Sequence, residues 1–166
     1  DGFNGRVQRF NTSGVYQSTL GSAGTAPGQF VITTWVGLHP SGDILVTSTN
    51  SNPQDGTLAD AANQWVSRFT SSGTFVSRFG GAFGGGPGQF RLPFAVVVDA
   101  SNRAYVSDYY NSRVQVFDLN TAPDTGGGGG GTTVPDTAAP TVANFTIGTS
   151  TATSANFQIV FSETVT

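Results

Sequence analysis

His39 and the ten carboxylates are the groups from which hydrolytic or metal chemistry would have to be built. A serine nucleophile needs a histidine base within hydrogen-bond reach and a third group to orient it. His39 lies in LHPSG (38–42), which has the composition of a tight turn, and it is read as a turn residue. One histidine does not furnish a multi-histidine metal centre. Glu163 is the only glutamate, and Asp43, Asp55, Asp60 and Asp118 are spread over loops and strand ends. Calcium needs several oxygen ligands brought together. Asp55 and Asp60 share one loop and are the candidate pair for calcium; otherwise no cofactor is expected. Asp136 stands at a segment junction, where it either caps a turn or joins such an ion. GGAFGGGPGQF (80–90) is glycine-rich but lacks the Gly-Lys-Ser/Thr ending and the helix of a phosphate loop.

The totals narrow the field further. There is no cysteine, hence no disulfide framework and no thiolate ligand. Charged residues make up 10% of the 166, with a net charge of -3, seven arginines and no lysine. Phosphate-backbone binding calls for a basic footprint, so nucleic acid is not an expected partner. No apolar run approaches the ~20 residues that span a bilayer. Short β-type runs separated by glycine, serine and threonine turns fill the chain, which is an all-β composition.

These runs repeat. NGRVQRF (4–10) is echoed by NQWVSRF (63–69) and NSRVQVF (111–117), PGQF (27–30) by PGQF (87–90), and SGDILV (41–46) by SNRAYV (101–106). Successive copies of the first element lie 59 and 48 residues apart, and an insertion at 51–62, SNPQDGTLADAA, accounts for the longer interval. A period near 48 falls among β-propeller blades, each of four strands. Within a period, 33–38 and 94–99 read as the innermost strands, apolar enough to be covered on both faces. Second strands follow at 43–49 and 103–108, third strands at 64–69 and 112–117, and fourth strands at 15–20 and 74–79.

Residues 88–117, GQFRLPFAVVVDASNRAYVSDYYNSRVQVF, resemble the NHL-repeat family of β-propellers almost throughout, and the likeness extends over 1–120. The second copy departs from it, with Thr33 where the third has Pro93. The resemblance implies about two and a half four-stranded blades of a six-bladed ring. It implies further blades upstream, a chain that starts between two strands, and a last blade whose fourth strand comes from elsewhere in the ring.

Asp108 and Arg113 flank a four-residue link, and Asp1 and Arg6 repeat the arrangement. In the second copy Ser48 and Trp65 replace both charges at once, where the insertion enters. Groups lost as a unit are read as a pair, so Asp1–Arg6 and Asp108–Arg113 are expected to be structural clasps, each a carboxylate held by a planar guanidinium. The insertion should project from one face of the ring, and with Trp65, Asp55 and Asp60 it is the candidate binding surface. Trp65 either anchors a ligand or packs beneath its own loop.

Residues 121–135 form a glycine-rich linker. Beyond it, 136–166 alternates as two strands and resembles the opening of a bacterial immunoglobulin-like domain, truncated against the ~100 residues of a full sandwich. The resulting expectation is an extracellular or cell-surface bacterial module, non-catalytic, binding a protein or glycan ligand or serving as scaffold. The alternative is a fragment of an extracytoplasmic propeller enzyme of lyase or lactonase type, with its catalytic residues upstream.

Overall fold

The hairpins of this chain turn on side chains that stand in for backbone acceptors. In the computed structural model, Asn11 Oδ1 accepts the Ser13 and Val15 N–H groups at 3.0 and 2.9 Å. Asp99 Oδ1 accepts those of Ser101 and Arg103, each at 2.9 Å. Thr70 Oγ1 accepts the Thr74 N–H at 3.1 Å. His39 does the same work with a nitrogen, its Nδ1 accepting the Ser41 N–H at 2.9 Å. Short polar side chains that bond the backbone two residues on are what these turns require.

The structure describes residues 1–50 and 63–120, together with the backbone of two strands further on. The elements are β1 (Val7–Phe10), β2 (Tyr16–Leu20), β3 (Ser22–Ala23), β4 (Gln29–Phe30), β5 (Ile32–Leu38), β6 (Ile44–Thr49), β7 (Gln64–Phe69), β8 (Phe75–Gly81), β9 (Pro93–Val98), β10 (Arg103–Asp108), β11 (Arg113–Asp118), β12 (Val142–Ile147) and β13 (Phe157–Phe161). Single 3₁₀ turns occupy Gly2–Asn4 and Tyr109–Asn111.

The second blade is a four-stranded antiparallel sheet, β5-β6-β7-β8. The third has β9, β10 and β11, and the first has β1 and β2. In register, Asp108 lies opposite Arg113 and Ser48 opposite Trp65, so the repeat superposes strand on strand. Asp1–Val134 forms one compact unit; Pro135–Thr166 forms another, in which β12 and β13 pair antiparallel. The loop acids Asp55 and Asp60, with Asp136 and Glu163, lie outside the described residues.

The core sits between blades. Leu20, Phe30, Ile44, Val46 and Phe69 form one cluster, with Val7 of the first blade against it. Leu45, Val66, Phe79, Phe90, Val96, Ala104, Val106 and Phe117 form the other, between the second and third. The same two phenylalanine positions meet in each, Phe30 with Phe69 at 5.7 Å between centroids and Phe90 with Phe117 at 5.5 Å. Glycine makes this fit possible. A Cβ on Gly21 would strike the Phe30 ring and one on Gly80 the Phe90 ring, both at positive φ (77° and 90°).

The innermost strands correct one expectation. They are not covered on both faces: Trp35, Val36 and Leu38 of β5 and Phe94 and Val97 of β9 are exposed. Apolar sequence marks a strand able to be covered, whereas coverage depends on a neighbour. β9 packs Val96 on the second blade, while β5 has no blade against its corresponding face among the described residues.

Candidate functional site

Asp108 closes β10 with its side chain fully buried, and everything around it donates. Its Oδ1 accepts the Arg91 N–H at 2.6 Å. Its Oδ2 accepts Arg113 Nε and Asn111 Nδ2, both at 2.8 Å, and Gln115 Nε2 at 3.1 Å. Arg113 then reaches back to the loop that enters the blade. Nη1 donates to the Gly85 carbonyl at 2.7 Å, and Nη2 to those of Gly86 and Gln89 at 2.8 and 2.9 Å. Gln115 ties down the same loop, donating to the Gln89 carbonyl at 2.7 Å and accepting the Gly88 N–H at 3.0 Å. A planar guanidinium presents enough donors for this set, which an ammonium could not match.

The first blade holds a reduced version. Asp1 Oδ2 accepts Arg6 Nε at 2.7 Å and Oδ1 accepts Asn4 Nδ2 at 2.7 Å, with the Arg6 side chain 42% exposed. Exposed pairs of this kind contribute about 1 kcal/mol or less.

The second blade is rewired. Trp65 occupies the arginine position, and its ring lies against Gly81, where a Cβ could not fit. Arg78, from the neighbouring strand β8, stacks over that ring at 4.0 Å and donates Nη1 to the Thr25 carbonyl at 3.1 Å. Thr25 is the repeat counterpart of Gly85, so the guanidinium has moved one strand outward while its acceptor stayed. The exchange was hidden in the sequence because no fixed spacing links position 65 to position 78. Trp65 is half-buried.

On the opposite face the turns are braced by pairs that the sequence reading passed over, Asp43 with Arg68 at 2.7 Å and Asp99 with Arg103 at 2.8 Å. The signal was available, since each acid adjoins a turn that the repeat had already aligned. His39 Nε2 contacts Asn102 Oδ1, which joins the turns of two blades. Burial pushes the Asp99 carboxyl up, but hydrogen bonds from the Arg103 backbone, the Arg103 guanidinium and the Tyr105 hydroxyl outweigh it, with the Arg103 charge adding to them. Asp99 therefore sits below its ordinary 3.8. A depressed folded-state pKa gives stability that is present above the unfolded value and is lost as pH falls through the folded one. Denaturant unfolding measured from pH 6 down to pH 2 should show Asp99→Asn with a flatter acid limb below about pH 4 than the parent chain.

The clasp also positions an aromatic surface. The Tyr109 and Tyr110 N–H groups donate to the Leu92 and Arg91 carbonyls at 3.1 and 3.0 Å, so the turn after Asp108 cannot swing. It presents Tyr109, 61% exposed, with Tyr110 at 5.2 Å and Phe94 at 6.0 Å between centroids. Phe3, the counterpart of Tyr110, is also exposed in the first blade, 62% against 38%. Rigid aromatic groups held in water are common binding anchors. Among the described residues no three acids or histidines lie close enough to hold a metal ion, and no helix is long and apolar enough to cross a membrane.

Comparison with known proteins supplies the family of this region. A stretch of 41 residues, 25% of the chain, is 44% identical to NHL repeat-containing protein 3 of Homo sapiens and covers 12% of that protein. Residues 90–117, from the inter-blade phenylalanine through the clasp to the end of the third strand, match the NHL repeat family. The third blade of this all-β chain is an NHL repeat.

Proposed function

We propose that this chain is an extracellular binding or scaffolding module whose propeller blades present a protein or glycan ligand site on the face carrying Tyr109, Tyr110 and Phe94. The carrying observation is the exposure of Tyr109 and Tyr110 on a turn locked by the buried Asp108, with exposed Phe94 of β9 beside them. Tyrosine offers large contact area at little conformational entropy cost, so a rigid tyrosine pair favours recognition. The acidic balance weighs against nucleic acid. The blades belong to a ring of six, and 136–166 opens an immunoglobulin-like stalk beyond the linker at 121–135. The lack of cysteine and lysine and the glycine-rich linker support a bacterial surface or secreted setting. Calcium, if bound, belongs to the loop of Asp55 and Asp60.

The test is a screen of the chain against a defined glycan array and a random-peptide display library, run beside Tyr109→Ser/Tyr110→Ser. Ligands recovered by the parent should bind the variant at least tenfold more weakly, with thermal unfolding unchanged. Ligands that bind both proteins equally would sink the assignment to this face.

A further inference from the structure

Nearly every guanidinium of this chain is held by an oxygen. Arg6, Arg68, Arg103 and Arg113 each donate to an aspartate, and Arg9 and Arg78 donate to the Ser71 and Thr25 carbonyls. Arg91 differs: among the described residues its guanidinium has no oxygen acceptor, and it lies over the Phe83 ring, 4.9 Å from the centroid. The residue is exposed. Its backbone is fixed from both sides, the N–H donating to the buried Asp108 at 2.6 Å and the carbonyl accepting the Tyr110 N–H at 3.0 Å. An arginine held at its backbone by the clasp and at its head by a ring is pre-organised, while its donors stay open.

This openness belongs to the repeat position. Val31, the counterpart of Arg91, is only partly buried although β9 of the next blade packs on β5. Phe3, the counterpart of Tyr110, is exposed although its turn packs on β5, where a Cβ on Gly2 would strike the Thr33 carbonyl.

We propose that Arg91 and the tyrosines beside it form a site for a carboxylate-bearing sugar chain, a uronate glycan. The inference rests on the reading of this face as a ligand site and adds the class and charge of the ligand. A guanidinium takes a carboxylate through two parallel N–H···O bonds. The surroundings favour sugar over peptide. The N–H groups of Arg91, Leu92, Tyr109, Tyr110 and Ser112 are all bonded within the protein, so an incoming strand finds little main chain to pair with. What remains open is of side-chain origin: exposed tyrosine rings for the C–H face of a pyranose, phenol hydroxyls for its hydroxyls, and a guanidinium for its acid. Nucleic acid calls for a run of such cations, and this face offers one that is unpaired.

The probes are oligomers of galacturonate, glucuronate and mannuronate, each beside its neutral methyl ester. They are titrated by calorimetry into the 166-residue chain, with EDTA present so that calcium bridges play no part. At least one acid should bind, and its ester should bind about tenfold more weakly or worse. Arg91→Gln should bind acid and ester alike with thermal unfolding unchanged, and Arg91→Lys should restore part of the preference. Tyr109→Ser/Tyr110→Ser should weaken acid and ester together. A parent chain that binds none of the acids, or binds acid and ester equally, overturns the proposal, as does an Arg91→Gln chain that keeps the preference. Binding lost in the tyrosine variant but unchanged in Arg91→Gln removes the charged site and leaves the aromatic face standing. Acid binding at full strength in the tyrosine variant overturns both. Peptides whose binding needs Arg91, with every uronate rejected, would give the site to protein and overturn the glycan assignment.

Discussion

Replacing Arg113 by alanine is expected to lower stability by about 3 kcal/mol, near the lower end for breaking a buried ion pair from one side. Asp108, with no exposure to water, would lose its guanidinium partner, although the donors from Arg91, Asn111 and Gln115 remain. Three carbonyls of the entering loop, at Gly85, Gly86 and Gln89, would lose a charged donor at the same time. Lysine at this position keeps the charge but not the fork, and should recover only part of the loss. Arg6→Ala, in the exposed version of the pair, should cost about 1 kcal/mol or less. Urea unfolding of the three variants checks the order; equal effects at positions 6 and 113 would mean that the clasp is no more than a surface ion pair.

The second large effect is at Phe117. Its ring packs against Phe79 at 4.7 Å and Phe90 at 5.5 Å, joining the outer strand of one blade to the entry loop and third strand of the next. Phe117→Ala should cost about 3–5 kcal/mol, the range for deleting a buried aromatic side chain. Phe10→Ala removes the same residue from the same repeat position but leaves a half-exposed site, and should cost about 1 kcal/mol or less. Paired urea denaturation curves of the two variants check the difference.

The architecture was legible because the repeat is literal. Once NGRVQRF, NQWVSRF and NSRVQVF are aligned, most strand boundaries follow to within a residue or two, and the turn role of His39 follows from its alignment with Asp99. The coverage of β5 and β9 was not legible, since an apolar strand states a capacity for burial and says nothing of its neighbour. The wider reach of Arg113 was also hidden: its carbonyl acceptors lie 24 to 28 residues away in a glycine loop, and carbonyls leave no mark on a sequence. Arg78 was missed for a related reason. Its partner Trp65 reads as a loss until the stacked guanidinium is seen on the next strand.

The ion pairs described above, Asp1–Arg6, Asp43–Arg68, Asp99–Arg103 and Asp108–Arg113, each close within one blade. Cohesion between blades rests chiefly on apolar clusters, with hydrogen bonds that end on neutral groups: Thr34 to the Pro93 carbonyl, Thr47 to that of Phe94, the Leu92 N–H to Gln64, and the Arg9 guanidinium to the Ser71 carbonyl. Ionic strength and solvent quality thus act on separate seams of the molecule. Brine, which screens charge, loosens the hairpin ends and leaves the stack of sheets joined, whereas urea, which solvates apolar surface, parts the sheets from one another.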